Sequence, residues 1–285
     1  MVDTGLLDPK SVRALAAELD LRPSKQRGQN FVIDPNTVRR IVALSGVQPG
    51  EVVLEVGPGL GSLTLGLLEA GAHVIAVEIE DSLAARLART VDERMPAAVD
   101  RLTVVAADAL RITELDPMPT RVVANLPYNV SVPVILHLLA TFPAITSGLV
   151  MVQLEVADRL VAPPGGKVYG TPSAKLAWYA SSSRVGTVPP TVFWPAPNVD
   201  SGLVAFARRE PPSTVDRQRT FDVIDAAFGQ RRKMLRSALS GIFGSSAAAV
   251  EALEAAGVDP QARGETLSVT QFAAVVPHLP HDLER

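Results

Sequence analysis

Five stretches of this chain hold residue types that could do chemistry, and four of them directly follow an apolar run. The first is Glu55-Val-Gly-Pro-Gly-Leu-Gly61. Glycines so spaced let a ligand approach the main chain where any Cβ would collide. A bare strand–helix turn would use the same residues. A dinucleotide fingerprint has its third glycine one residue later, where this chain has Ser62. The spacing suits an adenosyl ligand without a pyrophosphate. The second feature is Glu78, 21 residues after Gly57. An acid at about that offset meets ribose hydroxyls in nucleotide-binding α/β folds. Glu80 and Asp81 are its close neighbours. The third is Asp108, which could accept from an adenine amino group or simply cap a helix.

The fourth stretch, Asn125-Leu-Pro-Tyr-Asn-Val-Ser131, is the most specific. Polar–x–Pro–aromatic after a strand is an amine-methylating arrangement. The Asn125 amide oxygen and a main-chain carbonyl near Pro127 can accept both hydrogens of an exocyclic amine. That aims the nitrogen lone pair at an incoming methyl. Tyr128 offers a ring for stacking a base; a proline turn with a buried tyrosine is the plainer alternative. The fifth, Phe193-Trp-Pro-Ala-Pro-Asn-Val-Asp-Ser201, is a rigid loop or a second stacking face at Phe193 for a flipped-out base.

Positioning these groups takes alternating strands and helices. Apolar runs predict strands at Val52–Val56, His73–Glu78, Leu102–Ala106, Arg121–Ala124 and Leu149–Gln153. Helices are predicted over Pro35–Leu44 with Asp34 as N-cap, and over Ser62–Ala70, Ser82–Val91 and Val132–Ala140. Continuous Val-rich strands fit a buried parallel sheet, and the alternation argues for a doubly wound α/β fold. The four strand-following features then share one edge of the sheet. An N-terminal amphipathic helix carries Val12, Leu15, Ala16 and Leu19. After Gly170 come a helix at Ser173–Ala180 and strands at Arg184–Val188 and Gly202–Ala207. Glu210-Pro-Pro-Ser213 reads as a linker, and only helical patterns follow: Phe221–Phe228, Arg232–Ile242, Ala247–Ala256 and Val269–Val276. The expected division is 1–210 for the α/β domain and 211–285 for a small helical domain.

Composition narrows the chemistry. The 285 residues are 47% hydrophobic and 20% charged, enough apolar material for a core. There is no cysteine, which excludes disulfides, thiolate metal sites and thiol nucleophiles. The four histidines form no pair spaced for a metal, and His278 and His281 read as surface residues of the tail. The absence of a signal-like apolar core or a bilayer-length run points to the cytoplasm. The net charge of −3 gives no global nucleic-acid signal. Locally, Arg22–Arg40 and Arg208–Leu239 each carry a net +4. Arg231, Arg232, Lys233 and Arg236 form the denser cluster, suited to phosphate contacts or to a solvated helix face.

Together these motifs resemble the bacterial small-subunit (16S) rRNA adenine dimethyltransferases, within the rRNA adenine N6-methyltransferase family. The resemblance runs from Gly28-Gln-Asn-Phe-Val32 through Glu55–Gly61, Asn125–Ser131, Lys167-Val-Tyr-Gly-Thr-Pro-Ser173 and Phe193–Ser201 to Gln230–Leu239. Pro172, Met234 and Ala238 depart from the family pattern. The resemblance implies a Rossmann-like S-adenosylmethionine-dependent methyltransferase fold, with a mostly parallel seven-stranded sheet and a small all-helical C-terminal domain. It implies S-adenosylmethionine as methyl donor, held by Asn30, Val32 (through its backbone), Gly57, Gly59, Glu78, Asp108 and Asn125. Asn125, Pro127, Tyr128 and Phe193 would hold the target adenine. Arg231, Arg232, Lys233 and Arg236 would meet RNA. The implied substrate is a pair of adjacent adenines in the 3′-terminal hairpin loop of 16S rRNA, in the small ribosomal subunit or its precursor. A monomer without metal or membrane is expected.

The nearest rival is the large-subunit rRNA adenine methyltransferase of antibiotic resistance, which shares the catalytic motifs. Gln230–Leu239 and the ending Gly257-Val-Asp-Pro…Leu267-Ser-Val-Thr-Gln-Phe272 favour the small-subunit reading. A DNA adenine methyltransferase usually has two prolines in its motif. A ribosome-assembly factor with secondary methylation is a different class. A dinucleotide oxidoreductase is disfavoured by Ser62 and Asn125–Tyr128.

Overall fold

A computed structural model describes residues 5–21 and 30–280. Arg22, Lys25, Arg27, Gly28, Gln29 and His281 lie outside the described residues. In chain order the elements are α1 (Pro9–Glu18), β1 (Phe31–Val32), α2 (Pro35–Ser45), β2 (Val52–Val56), α3 (Ser62–Glu69), β3 (His73–Glu78), α4 (Asp81–Arg94), β4 (Leu102–Ala106) and β5 (Arg121–Asn125). Then follow α5 (Ser131–Thr141), β6 (Ser147–Gln153), α6 (Leu154–Leu160), α7 (Thr171–Tyr179), β7 (Ala180–Val188), β8 (Phe193–Trp194) and β9 (Ser201–Arg208). The last helices are α8 (Arg217–Gly229), α9 (Leu235–Ala238), α10 (Ser240–Phe243), α11 (Ser246–Ala255) and α12 (Val269–Val275).

The main sheet has seven strands in the order β4-β3-β2-β5-β6-β9-β7. The pairs from β4 to β6 are parallel, and β9 returns antiparallel to β6. From β2 the chain winds outward through β3 and β4, then restarts at β5 on the other side. Such a reversal opens a crevice at the carboxyl ends of the central strands. Val53, Leu54, Val74, Ile75, Val122 and Val123 are buried, as continuous apolar strands covered on both faces must be.

Helix ends follow the sequence. The Asp34 carboxylate accepts from the Thr37 amide at 2.9 Å, starting α2, and Gly46 closes it in the left-handed region. Helix α1 buries Val12, Leu15 and Ala16. It is tied down by Arg86, 5% exposed, whose guanidinium meets Glu18 at 3.2 Å and Glu93 at 2.8 Å. Arg208 donates to the carbonyls of Leu139, Phe142 and Ile145 and so caps the end of α5.

The chain divides into two compact units. One runs up to Ala157 and includes Ser183–Arg208; the other joins Asp158–Ser182 to the chain from Arg209 onward. A single linear boundary at 210 therefore omits two crossings, after Ala157 and after Ser182. Tyr169 explains the segment's place: it is 1% exposed, its hydroxyl donates to the Leu267 carbonyl at 2.8 Å, and its ring packs edge-on to Phe228.

The expected helix over Arg232–Ile242 is replaced by a turn followed by α9 and α10. The amides of Leu235 and Arg236 donate to the carbonyls of Ala262 and Pro260, at 2.8 and 3.1 Å, instead of to the preceding helical turn. Among the described residues no helix is long and apolar enough to cross a membrane.

Candidate active site

At the carboxyl ends of β2, β3 and β5 lies a cavity of about 350 Å³. Its walls include Asn30, Val32, Gly57, Gly59, Glu78, Asn125 and Pro127. These are seven of the residues expected around donor and adenine. The volume falls within the usual range for small-molecule sites.

The glycine turn sets the floor. Gly57, Gly59 and Gly61 have φ of +69°, +57° and +97°, a region unfavourable to residues with a Cβ. A Cβ on Gly59 would sit 2.7 Å from the Phe31 ring. That ring is fixed by a two-residue ladder that sequence periodicity did not reveal. Strand β1 pairs antiparallel with β8, placing Phe31 opposite Trp194 and Val32 opposite Phe193. The Phe31 and Trp194 rings stack at 6.4 Å. Ser62, at the start of α3, donates from its hydroxyl to the Val32 carbonyl at 2.6 Å and clamps the ladder to the turn.

Glu78 is 5% exposed, and both of its oxygens are engaged. One accepts from the Gly59 amide and the other from the Glu80 amide, each at 3.1 Å. Each oxygen keeps a lone pair for a further donor. Burial pushes this carboxyl up, opposed by the amides of Glu80 and Gly59. Glu78 thus holds the glycine turn as well as facing the cavity. Glu78→Ala is expected to weaken S-adenosylmethionine binding about tenfold to 150-fold, the equivalent of about 1.5–3 kcal/mol for a charged-acceptor bond. Calorimetry that finds wild-type affinity in a folded variant removes Glu78 from the donor site.

Asn125 ends β5. Its amide nitrogen donates to the Asn30 carbonyl at 3.0 Å. Because that carbonyl can only accept, the nitrogen must face it, which leaves Oδ1 as the free end of the amide. Tyr128 is half-buried and anchored through its hydroxyl to Ser201 at 2.8 Å. This bond links the fourth motif to the end of the fifth. Burial pushes the Tyr128 phenol up, partly offset by Ser201.

Three expected residues stand elsewhere. Asp108 lies off the cavity; its Oδ1 accepts from the Leu110 amide at 2.9 Å, and Arg111 is 3.6 Å from the other oxygen. Tyr128 flanks Pro127 without lining the cavity. Phe193 is 2% exposed within the core, because pairing with Val32 turns it inward, so it offers no open stacking face. Other cavity residues had no assigned role: Phe31, Ile79, Leu83 and, above all, Glu55. In the sequence Glu55 is only the head of the glycine motif, near the end of β2. It is 1% exposed and accepts from the Thr64 hydroxyl at 2.6 Å. Burial pushes its carboxyl up to about 8, against the Thr64 bond and with the repulsion of Glu78.

The basic cluster divides. Arg231 is bound to Glu265 at 2.9 Å and to the Lys167 carbonyl at 2.7 Å. Arg217 donates to the Tyr179 hydroxyl, Arg219 to the Pro280 carbonyl and Arg209 to the Ala177 carbonyl. Arg232, Lys233 and Arg236 are exposed on the turn and on α9, where no side chain among the described residues pairs with them.

The cavity fits an adenosyl sulfonium better than a dinucleotide. Its described walls hold Glu55, Glu78 and Glu80 and no basic side chain, whereas a pyrophosphate would need positive charge. Apolar Phe31, Ile79 and Leu83 supply contact area for a purine. The doubly wound sheet, glycine turn and acid on the next strand define an S-adenosylmethionine-dependent methyltransferase. The model of the family described as ribosomal RNA adenine dimethylase matches residues 21–279, and the chain belongs to that family.

The chain is 61% identical to the ribosomal RNA small subunit methyltransferase A of Cutibacterium acnes, over 97% of this chain and 95% of that one. It is also 61% identical to the protein of that name from Thermobifida fusca, over 98% of each. Among solved structures, a dimethyladenosine transferase from Plasmodium falciparum shares the fold, with a TM-score of 0.73 at 21% identity. That likeness covers 86% of this chain and 95% of the other. The 23S rRNA methyltransferase ErmE aligns with a TM-score of 0.62 at 26% identity, over 88% of this chain and 99% of its own.

Proposed function

We propose that this enzyme places two methyl groups on N6 of each of two adjacent adenines in the 3′-terminal hairpin loop of small-subunit rRNA. Its substrate particle is the small ribosomal subunit or a precursor of it, and it acts in the cytoplasm as a monomer. The observation that carries the chemistry is the Asn125 amide, locked by Asn30 with its oxygen free. The two 61% identical relatives, both called small subunit methyltransferase A, support the choice of subunit over the 26% identical ErmE.

Bound S-adenosylmethionine supplies an electrophilic methyl on a sulfonium. Asn30, the Val32 backbone, Gly57, Gly59 and Glu78 form its binding side in this reading, and Asp108, off the cavity, is left out of it. Asn125 Oδ1 and a carbonyl beside Pro127 accept the two amine hydrogens in the first transfer, and one of them accepts the remaining hydrogen in the second. The nitrogen lone pair is turned to the cavity, and the proton displaced in each transfer leaves to solvent afterwards. Tyr128, with its hydroxyl fixed by Ser201, is the ring assigned to the adenine. Phe193 supports β1 from within the core instead. Alignment of this kind lowers a barrier through positioning and fixed dipoles, without a general base.

Arg232, Lys233 and Arg236 are assigned to rRNA phosphates; Arg231 holds the turn that presents them. Replacing the three exposed cations with alanine should weaken subunit binding. It should flatten the salt dependence by about 0.7–0.9 log unit per lost contact, with donor affinity unchanged. An unaltered slope would make them an ordinary solvated face. The function itself is tested with labelled donor on unmethylated small and large subunits, followed by mass mapping. Dimethylated adjacent adenines in small-subunit rRNA are expected; label in large-subunit rRNA alone overturns the assignment.

A further inference from the structure

Glu55 is a buried titratable group that amine positioning leaves unused. Its Oε2 takes the Thr64 hydroxyl, and no other hydrogen bond reaches the side chain among the described residues. Among those residues the fully enclosed side-chain atom without a hydrogen bond is Arg86 Nε, which is ion-paired to Glu18. Glu55 Oε1, on the wall of the cavity, therefore opens into it. Its surroundings contribute Thr64 from α3, Glu78 from β3, Glu80 beyond β3 and Asn125 from β5, with no described cation on the wall. A second negative charge beside Glu78 in so enclosed a place is unfavourable until a cation arrives.

The methyl donor and its spent product differ by one such charge. The donor has a carboxylate, an ammonium and a sulfonium, net +1; after methyl loss the sulfur is a neutral thioether. Building on the donor site proposed above, we infer that Glu55 couples donor exchange to a proton. It is a carboxylic acid in the empty and product-bound site, and it releases that proton to solvent when the cationic donor binds. The ionised carboxylate then balances the added positive charge. When product replaces donor, a proton returns from solvent, and no buried charge is left unpaired to oppose product release. Its ordinary range shifted up to about 8 keeps Glu55 in the acid form at neutral pH in the empty site.

The test is calorimetry of S-adenosylmethionine and S-adenosylhomocysteine at pH 7, each in buffers of different ionisation enthalpy. The heat then reports protons exchanged, independently of turnover. Wild-type protein should release about one proton per donor and clearly less per product, and Glu55→Gln should remove the difference. Wild-type donor affinity, divided by that of Glu55→Gln, should tighten by up to tenfold per pH unit from about 6 to 8 and then level off. The ratio cancels the donor's own amino group, which titrates near 8. Thr64→Val is a second variant. It removes a bond that favours the carboxylate, so the levelling should move to higher pH. Equal proton release for donor and product in the wild type, or an unchanged difference in Glu55→Gln, overturns the inference while leaving the donor site standing. Failure of the wild type to bind either molecule overturns the donor site as well.

Discussion

Asn125→Ala is expected to slow single-turnover methyl transfer about 10²–10³-fold at saturating donor and subunit. Donor affinity should fall only modestly, because Glu78, Gly57 and Gly59 stay in place. The size follows from what is lost: a fixed acceptor aimed at the amine, in a site where reorientation at the moment of reaction is unnecessary. Asn125 Nδ2 already donates to Asn30, so the amide cannot rotate without breaking a 3.0 Å bond. Asn125→Asp separates acceptor from orientation. Aspartate keeps an oxygen toward the cavity but sets another against the Asn30 carbonyl, where neither can donate. It should therefore also transfer slowly, and its repulsion of the Asn30 carbonyl should weaken donor binding more than alanine does. Tyr128→Ala should instead raise the subunit concentration needed, since stacking contributes about 1–3 kcal/mol per base. Wild-type single-turnover rates in Asn125→Ala would remove amine positioning from this motif.

Much of the arrangement behind that expectation was legible in the residues. Strands β2 and β3 run between the same residues as their apolar stretches, because strands covered on both faces need unbroken hydrophobic runs, and the edge strand β4 matches its own stretch although Thr103 and Ala106 are exposed. Asp34 declared the start of α2 by its capping chemistry. What stayed hidden depended on partners distant in sequence. A ladder of two residues has no periodicity to read, yet β1 and β8 decide that Phe31 covers Gly59 and that Phe193 turns inward. Gln230–Leu239 has the composition of a basic helix. Its amides found carbonyls near residue 261 instead, and Glu265 took one of its four cations. In the sequence Glu55 is only the first residue of a glycine motif. Its meaning comes from Thr64 and Glu78, which sequence places nine and 23 residues away and the sheet brings together.

Glu55 also sets the expected pH dependence of the ligand-free protein: stability should fall as the pH rises from about 5 to 8. Its carboxyl sits near 8 in the folded chain, against 4.5 ordinarily, with burial as the main cause. Between those values the folded chain keeps a proton that the unfolded chain has lost. Raising the pH then favours unfolding, by up to about 1.4 kcal/mol per pH unit for one such group. Below about 4.5 both states are protonated, and above about 8 both are ionised, so the contribution levels off at each end. Burial pushes Glu78 in the same direction, so its share of the slope survives when Glu55 is replaced. Urea denaturation at half-unit pH steps measures the profile. Glu55→Gln should flatten most of the slope, since glutamine can still accept from Thr64 but carries no titrating proton. Saturating S-adenosylmethionine should flatten it in the wild type too, by supplying the charge that lets Glu55 ionise while folded. Parallel wild-type and Glu55→Gln profiles across this range would mean that Glu55 is already ionised in the folded chain. The proton that donor binding is inferred to release would then have no source.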